Sequence, residues 1–269
     1  MKTSFYHDKL AQAAQNPVSR YSTGTFIFWR TNEIRNRIRH MHDPLFRTEL
    51  FPIEGSDKIA CVVAGYRGKI SSYQNVINTL NMRGYSVIAY EHSPAVLLSG
   101  DPQQLLRLVE DISTDFAHKI SGYKTVICTG ASIGAGICFA LQTRFPVIKC
   151  GIYAGAGVSP PETIYEAPLF YFIRKKFSKG GFDKPTLKVR WQNVDIIPDV
   201  PLNLHTPFVI ALGTKDKIVN YQKASATLEA WQPAGRSIHI ITKRNLGHIG
   251  IIRWYKKNFT KLLLEAESL

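Results

Sequence analysis

A chain of 269 residues, 45% hydrophobic and 20% charged, can bury one large core, and a single α/β domain over 1–269 is the expected organisation. Its 34 Lys+Arg against 20 Asp+Glu give a net charge of +14, which favours anionic partners in general, but none of the basic stretches 30–39, 174–190 and 243–261 has the pattern of a nucleic-acid module, so no nucleic acid is expected. No run approaches the ~20 apolar residues of a membrane span, and residues 1–17 lack the apolar core of a secretory signal, so a cytoplasmic protein is expected.

In chain order, Thr25–Trp29 and Phe46–Ile53 have β-like composition and flank a basic, helix-compatible stretch from Asn32 to His42. Ile59–Ala64 is a compact apolar strand ending in Gly65-Tyr66-Arg67-Gly68, and Ser72–Arg83 carries Val76, Ile77 and Leu80 on one helical face before Gly84 closes it. Ser86–Tyr90 predicts a strand, Pro102–Ile120 an amphipathic helix, Thr125–Thr129 a strand, Gly134–Arg144 a helix and Ile148–Ala154 a strand. Later come the strand Phe208–Leu212, the helix Tyr221–Trp231, the strand Ser237–Thr242 and a terminal helix over Ile249–Glu265. Apolar strands alternating with helices predict a mostly parallel sheet covered on both faces. Cys61, Cys128, Cys138 and Cys150 lie among apolar neighbours without C-x-x-C spacing and are expected to be buried free thiols.

The alternation breaks between Gly155 and Thr206, where Pro160, Pro161, Pro168, Pro185, Pro198 and Pro201 surround an aromatic stretch from Tyr165 to Phe177. A cap over residues 157–206 that walls a substrate pocket is expected; the alternative is a helix pair that only packs on the sheet.

Gly130-Ala131-Ser132-Ile133-Gly134 stands between a predicted strand and a predicted helix. A nucleophile on so sharp a turn needs small neighbours, because helix and strand approach closely on either side. A serine hydroxyl also needs a base, and the base needs an orienting acid. Asp216 follows the strand Phe208–Leu212, and His248 follows Ser237–Thr242. His239 is a rival base held inside a predicted strand, and Asp195 and Asp199 are rival acids in the irregular insert.

With this elbow, the Ser-Asp-His order and the alternating pattern, the sequence from about Ile59 to Phe259 resembles the α/β-hydrolase superfamily. The resemblance implies a mostly parallel sheet of about eight strands and acyl-enzyme chemistry on an ester, thioester or amide. It further implies an oxyanion hole formed by the backbone N–H groups of Tyr66 and Ile133. The family often has histidine before the loop glycine; here Ala64 stands there, which bears on the rigidity of that loop.

A carboxylic ester or thioester hydrolase using Ser132, His248 and Asp216 is therefore expected, with an acyltransferase or a non-catalytic binding protein as rivals. Arg67, His92, Phe170 and Phe172 are candidate pocket residues. The motifs of mononucleotide and dinucleotide binding are absent, and no metal-ligand spacing occurs, so neither a cofactor nor a metal is expected. Residues 169–173 beside Arg174, Lys175 and Lys176 suit either an amphipathic substrate or peripheral contact with an anionic membrane. A core helix with cations at its C-terminus would read the same way.

Overall fold

The computed structural model describes residues 45–157, 159–192, 206–232 and 237–269. The predicted strand Thr25–Trp29, the basic stretch after it and the rival acids Asp195 and Asp199 lie outside these residues. The described strands are β1 Phe46–Phe51, β2 Lys58–Val63, β3 Tyr85–His92, β4 Thr125–Ala131, β5 Ile148–Ala154, β6 Phe208–Gly213 and β7 Ile238–Lys243. They form one seven-stranded sheet in the order β1-β3-β2-β4-β5-β6-β7. Only β1, paired antiparallel to β3, breaks the parallel direction.

The strands read as continuous apolar runs because both faces are covered. In β2, Ile59, Cys61 and Val63 point into one core cluster while Ala60 and Val62 point into the other, the period of two that a pleated strand imposes. One face is packed by helices α1 Gln74–Met82, α9 His248–Lys257 and α10 Phe259–Glu267. The opposite face carries α3 Gln103–Lys119, α4 Ile133–Arg144 and α8 Tyr221–Trp231. All four cysteines are free and buried.

The short helix α2 Ala95–Leu98 is a piece the periodicity does not predict. The insert between β5 and β6 forms α5 Pro160–Glu166, a 3-10 turn Pro168–Phe170, α6 Tyr171–Lys179 and α7 Lys184–Arg190.

The expected terminal helix Ile249–Glu265 is corrected to two helices broken at Asn258, whose backbone leaves the helical region at φ −107°. The Asn258 amide side chain donates to the Trp254 carbonyl at 2.8 Å, and such side-chain bonds compete with the helical ladder. Ile251, Tyr255, Phe259, Leu262 and Leu263 all remain buried across the break, so apolar spacing gave no sign of it.

Candidate active site

The sheet order reverses at β2. The chain leaves β2 for β3 on one side and returns to β4 on the other, with α1 and α4 on opposite faces. The loops at the C-terminal ends of β2 and β4 therefore diverge, and a crevice opens between them, where ligands bind in open α/β sheets. Gly65 and Ser132 border this crevice.

Close approach explains the small residues. A Cβ on Gly134 would lie 2.3 Å from the Val63 carbonyl oxygen and 2.6 Å from that of Ala64, and one on Gly130 would lie 2.7 Å from Gly134 backbone atoms. Ser132 itself is held at φ 55°, ψ −129°, a conformation that costs a non-glycine residue roughly 1–3 kcal/mol. The bond from Ser132 N–H to the Ala154 carbonyl, 2.9 Å, pins the turn to the end of β5. The half-buried hydroxyl is thus presented at the crevice by a backbone it could not adopt alone.

Asp216 sits on the turn after β6. Its Oδ1 accepts from the backbone N–H groups of Ile218 and Val219, each at 2.9 Å, which sets the carboxylate plane. His248 opens α9. The two loops are tied together by Lys215 N–H to the Leu246 carbonyl at 3.0 Å and Asn245 N–H to Thr214 Oγ1 at 3.0 Å. With the loops so fixed, His248 Nδ1 lies 2.8 Å from Asp216 Oδ2 and His248 Nε2 lies 3.0 Å from Ser132 Oγ. The Asp216 and His248 side chains are 2% and 8% exposed. An ionised carboxylate only accepts, so it selects the tautomer with the proton on Nδ1 and leaves the Nε2 lone pair facing the serine.

Two backbone donors, Tyr66 N–H and Ile133 N–H, belong to residues that line the cavity beside Ser132. Ile133 is the first residue of α4, where a helix leaves its N–H groups without internal acceptors. Among the described residues neither Ile133 N–H nor Tyr66 N–H has a backbone acceptor. The loop before Tyr66 is held by a bond from Gly65 N–H to the Tyr73 hydroxyl at 3.1 Å and by a turn from Gly68 N–H to the Gly65 carbonyl at 2.8 Å. Tyr73 is buried and carries the Lys256 ammonium over its ring at 3.9 Å. The rigidity that Ala64 leaves open is supplied there by a tyrosine eight residues after Gly65.

A cavity of about 40 Å³ adjoins the serine, lined by Tyr66, Leu97, Ser132, Ile133, Ile164, Phe170 and Val219, among others. A larger cavity of about 450 Å³ borders the Asp216 loop and α5 but does not include Ser132; the smaller one carries the reactive geometry. Phe170 lines it and meets the Tyr66 ring edge-on at 6.1 Å. The other pocket candidates are elsewhere. Arg67 is exposed and lies 5.4 Å from the Tyr66 ring centre, Phe172 is 75% exposed, and His92 is buried in β3 with an unpartnered Nε2. Burial holds the His92 imidazole below its ordinary pKa. The rival base His239 lies in β7, its Nδ1 3.7 Å from Glu265.

Sequence reasoning missed Tyr73 and Gly155. A Cβ on Gly155, at φ +55°, would come within 3.3 Å of His248 Cε1, so the residue after β5 must be small for the imidazole to fit. The glycine that ends the Ile148–Ala154 run was the available signal; nothing singled out Tyr73. Among the described residues, no cluster of three or more His, Cys, Asp or Glu is placed to hold a metal ion, and no helix is long and apolar enough to cross a membrane.

No protein-family model matches the chain. A carboxylesterase from Bacillus subtilis (strain 168) is 23% identical over 239 residues, covering 77% of this chain and 96% of its own length. An esterase from Pyrococcus furiosus superposes with a TM-score of 0.54 at 15% identity, covering 93% of this chain and 96% of the other. Est1E from Butyrivibrio proteoclasticus superposes at 0.58 with 15% identity, covering 83% and 95%. The two superpositions establish the common fold.

Proposed function

We propose that the chain is a carboxylesterase-like α/β-hydrolase, a serine hydrolase of carboxylic esters or thioesters with Ser132 as nucleophile, His248 as base and Asp216 as the orienting acid. The observation that carries this reading is the imidazole held between Ser132 Oγ at 3.0 Å and Asp216 Oδ2 at 2.8 Å. The similarity to a carboxylesterase supports an ester bond as the target.

In the first half-reaction His248 Nε2 takes the Ser132 proton as Oγ attacks the substrate carbonyl carbon. The carbonyl oxygen becomes an oxyanion held by the N–H groups of Tyr66 and Ile133. Collapse breaks the bond to the alcohol or thiol, which leaves with the proton from His248. In the second, His248 deprotonates water, the hydroxide attacks the acyl-serine, and the carboxylic acid leaves as Ser132 recovers its proton. Asp216 stays ionised and offsets the charge on the imidazolium.

The apolar walls of the Ser132 cavity suit an uncharged acyl group. Its volume, about 40 Å³, is room for a few waters at roughly 10–15 Å³ each, and suits a short one. The test is fluorophosphonate labelling together with p-nitrophenyl acetate hydrolysis, for the parent protein and Ser132→Ala. Labelling and hydrolysis that both vanish in the variant are expected. A folded parent protein that takes no label, or a variant that still hydrolyses the ester at the parent rate, would overturn the assignment.

A further inference from the structure

The outer side of the insert carries a surface that ester chemistry does not use. Helix α6 buries Ile173 and Phe177, and its opposite side places Phe172 in line with Lys175, Lys176 and Lys179 at spacings of three, four and seven residues, which share a helical face. Phe172 is 75% exposed, and Leu169, in the preceding turn, is 71% exposed. Arg174 is turned inward, donating to the Tyr165 carbonyl at 2.7 Å. The nearby lysines Lys184 and Lys223 are neutralised by Glu166, at 3.1 and 2.9 Å. Lys175, Lys176 and Lys179 have no carboxylate partner among the described residues.

We propose that this face docks on an anionic phospholipid bilayer, with Leu169 and Phe172 entering the headgroup layer and Lys175, Lys176 and Lys179 lying against the lipid phosphates and carboxylates. The combination of two exposed apolar side chains with three unneutralised cations specifies the partner. Two protruding side chains are far from the roughly 800 Å² per partner of a stable protein interface, whereas shallow insertion plus charge attraction is enough at a membrane surface. The same turn joins this face to the cavity: Leu169 points outward while Phe170 lines the wall beside Ser132. Docking therefore brings that wall to the lipid surface, a consequence that rests on the hydrolase reading, as the docking itself does not.

The experiment is co-sedimentation of the full chain with vesicles of phosphatidylcholine alone or with about 30% phosphatidylserine. Binding only to the anionic vesicles is expected, lost between about 0.1 and 0.5 M salt as screening shortens. The variant K175Q/K176Q/K179Q should lose affinity on the order of 100-fold, about fivefold per lysine, and L169S/F172S should lose it as well, with circular dichroism unchanged in both. Ser132→Ala should bind like the parent protein, so a failed hydrolase assignment and failed docking are told apart. No binding, equal binding to neutral vesicles, or retained binding in either surface variant would overturn the proposal.

Discussion

At Ser132 a single residue combines a left-handed backbone with a hydroxyl 3.0 Å from an imidazole, and neither feature has a use without the other. The strain is held in place by glycines whose missing Cβ atoms would meet carbonyl oxygens of β2 and the first turn of α4. Asp216 has an equally specific setting, with three hydrogen bonds converging on one carboxylate. Asp216→Asn preserves the two backbone bonds to Oδ1 but removes the acceptor that selects the histidine tautomer. We expect turnover to fall about 10⁴-fold with the fold intact, measured as kcat for p-nitrophenyl acetate alongside thermal melting. Tyr73 acts one step further out, through the Gly65 N–H, as a positioning residue for the loop that ends in Tyr66. Tyr73→Phe should lower kcat about tenfold, the size of one hydrogen bond, with KM little changed. A transition-state analogue such as a trifluoromethyl ketone should weaken by the same factor, while a change in KM alone would argue for a packing role.

Among the elements, the insert between β5 and β6 sets the shape of the cavity. Its helices are defined by local signals: Ser159 caps α5 by accepting from the Glu162 N–H, Asp183 caps α7 by accepting from the Thr186 N–H, and prolines stand in the first turn of each. α5 contributes Ile164 and the following turn contributes Phe170 to the wall opposite Ser132. Phe170→Ala should enlarge the cavity and move the preferred acyl chain from acetyl toward butyryl and longer. The measurement is kcat/KM across a p-nitrophenyl ester series; an unchanged order would remove Phe170 from the role of acyl-pocket wall.

Across the whole molecule, the two cores hold tyrosines whose hydroxyls depart far from solution behaviour. Burial pushes the Tyr73 hydroxyl up to about 12 and also raises Tyr85, Tyr90, Tyr153 and Tyr255 well above the ordinary phenol range. The folded state thus keeps its phenolic protons above pH 10, where the unfolded chain releases them. Stability falls as pH rises through that window, by about 2 kcal/mol for Tyr73 alone at pH 12. Tyrosinate absorbance from these groups should appear together with the loss of circular dichroism above pH 10, and absorbance that precedes unfolding would show the hydroxyls to be accessible. Much of this architecture was legible in the residues, because alternation and small-residue spacing are local consequences of pleat, helix period and close packing. Strand existence and the Gly130–Gly134 elbow follow from such patterns, and the strand-end positions of Asp216 and His248 follow with them. The break at Asn258 was not legible, since buried residues keep the same spacing on both sides of it. Nor were the support of Gly65 by Tyr73, the room left by Gly155 for His248, or the outward turn of Phe172 beside an inward Phe170. Each depends on which side chains meet across elements distant in sequence, and only the folded sheet brings those atoms within bonding distance.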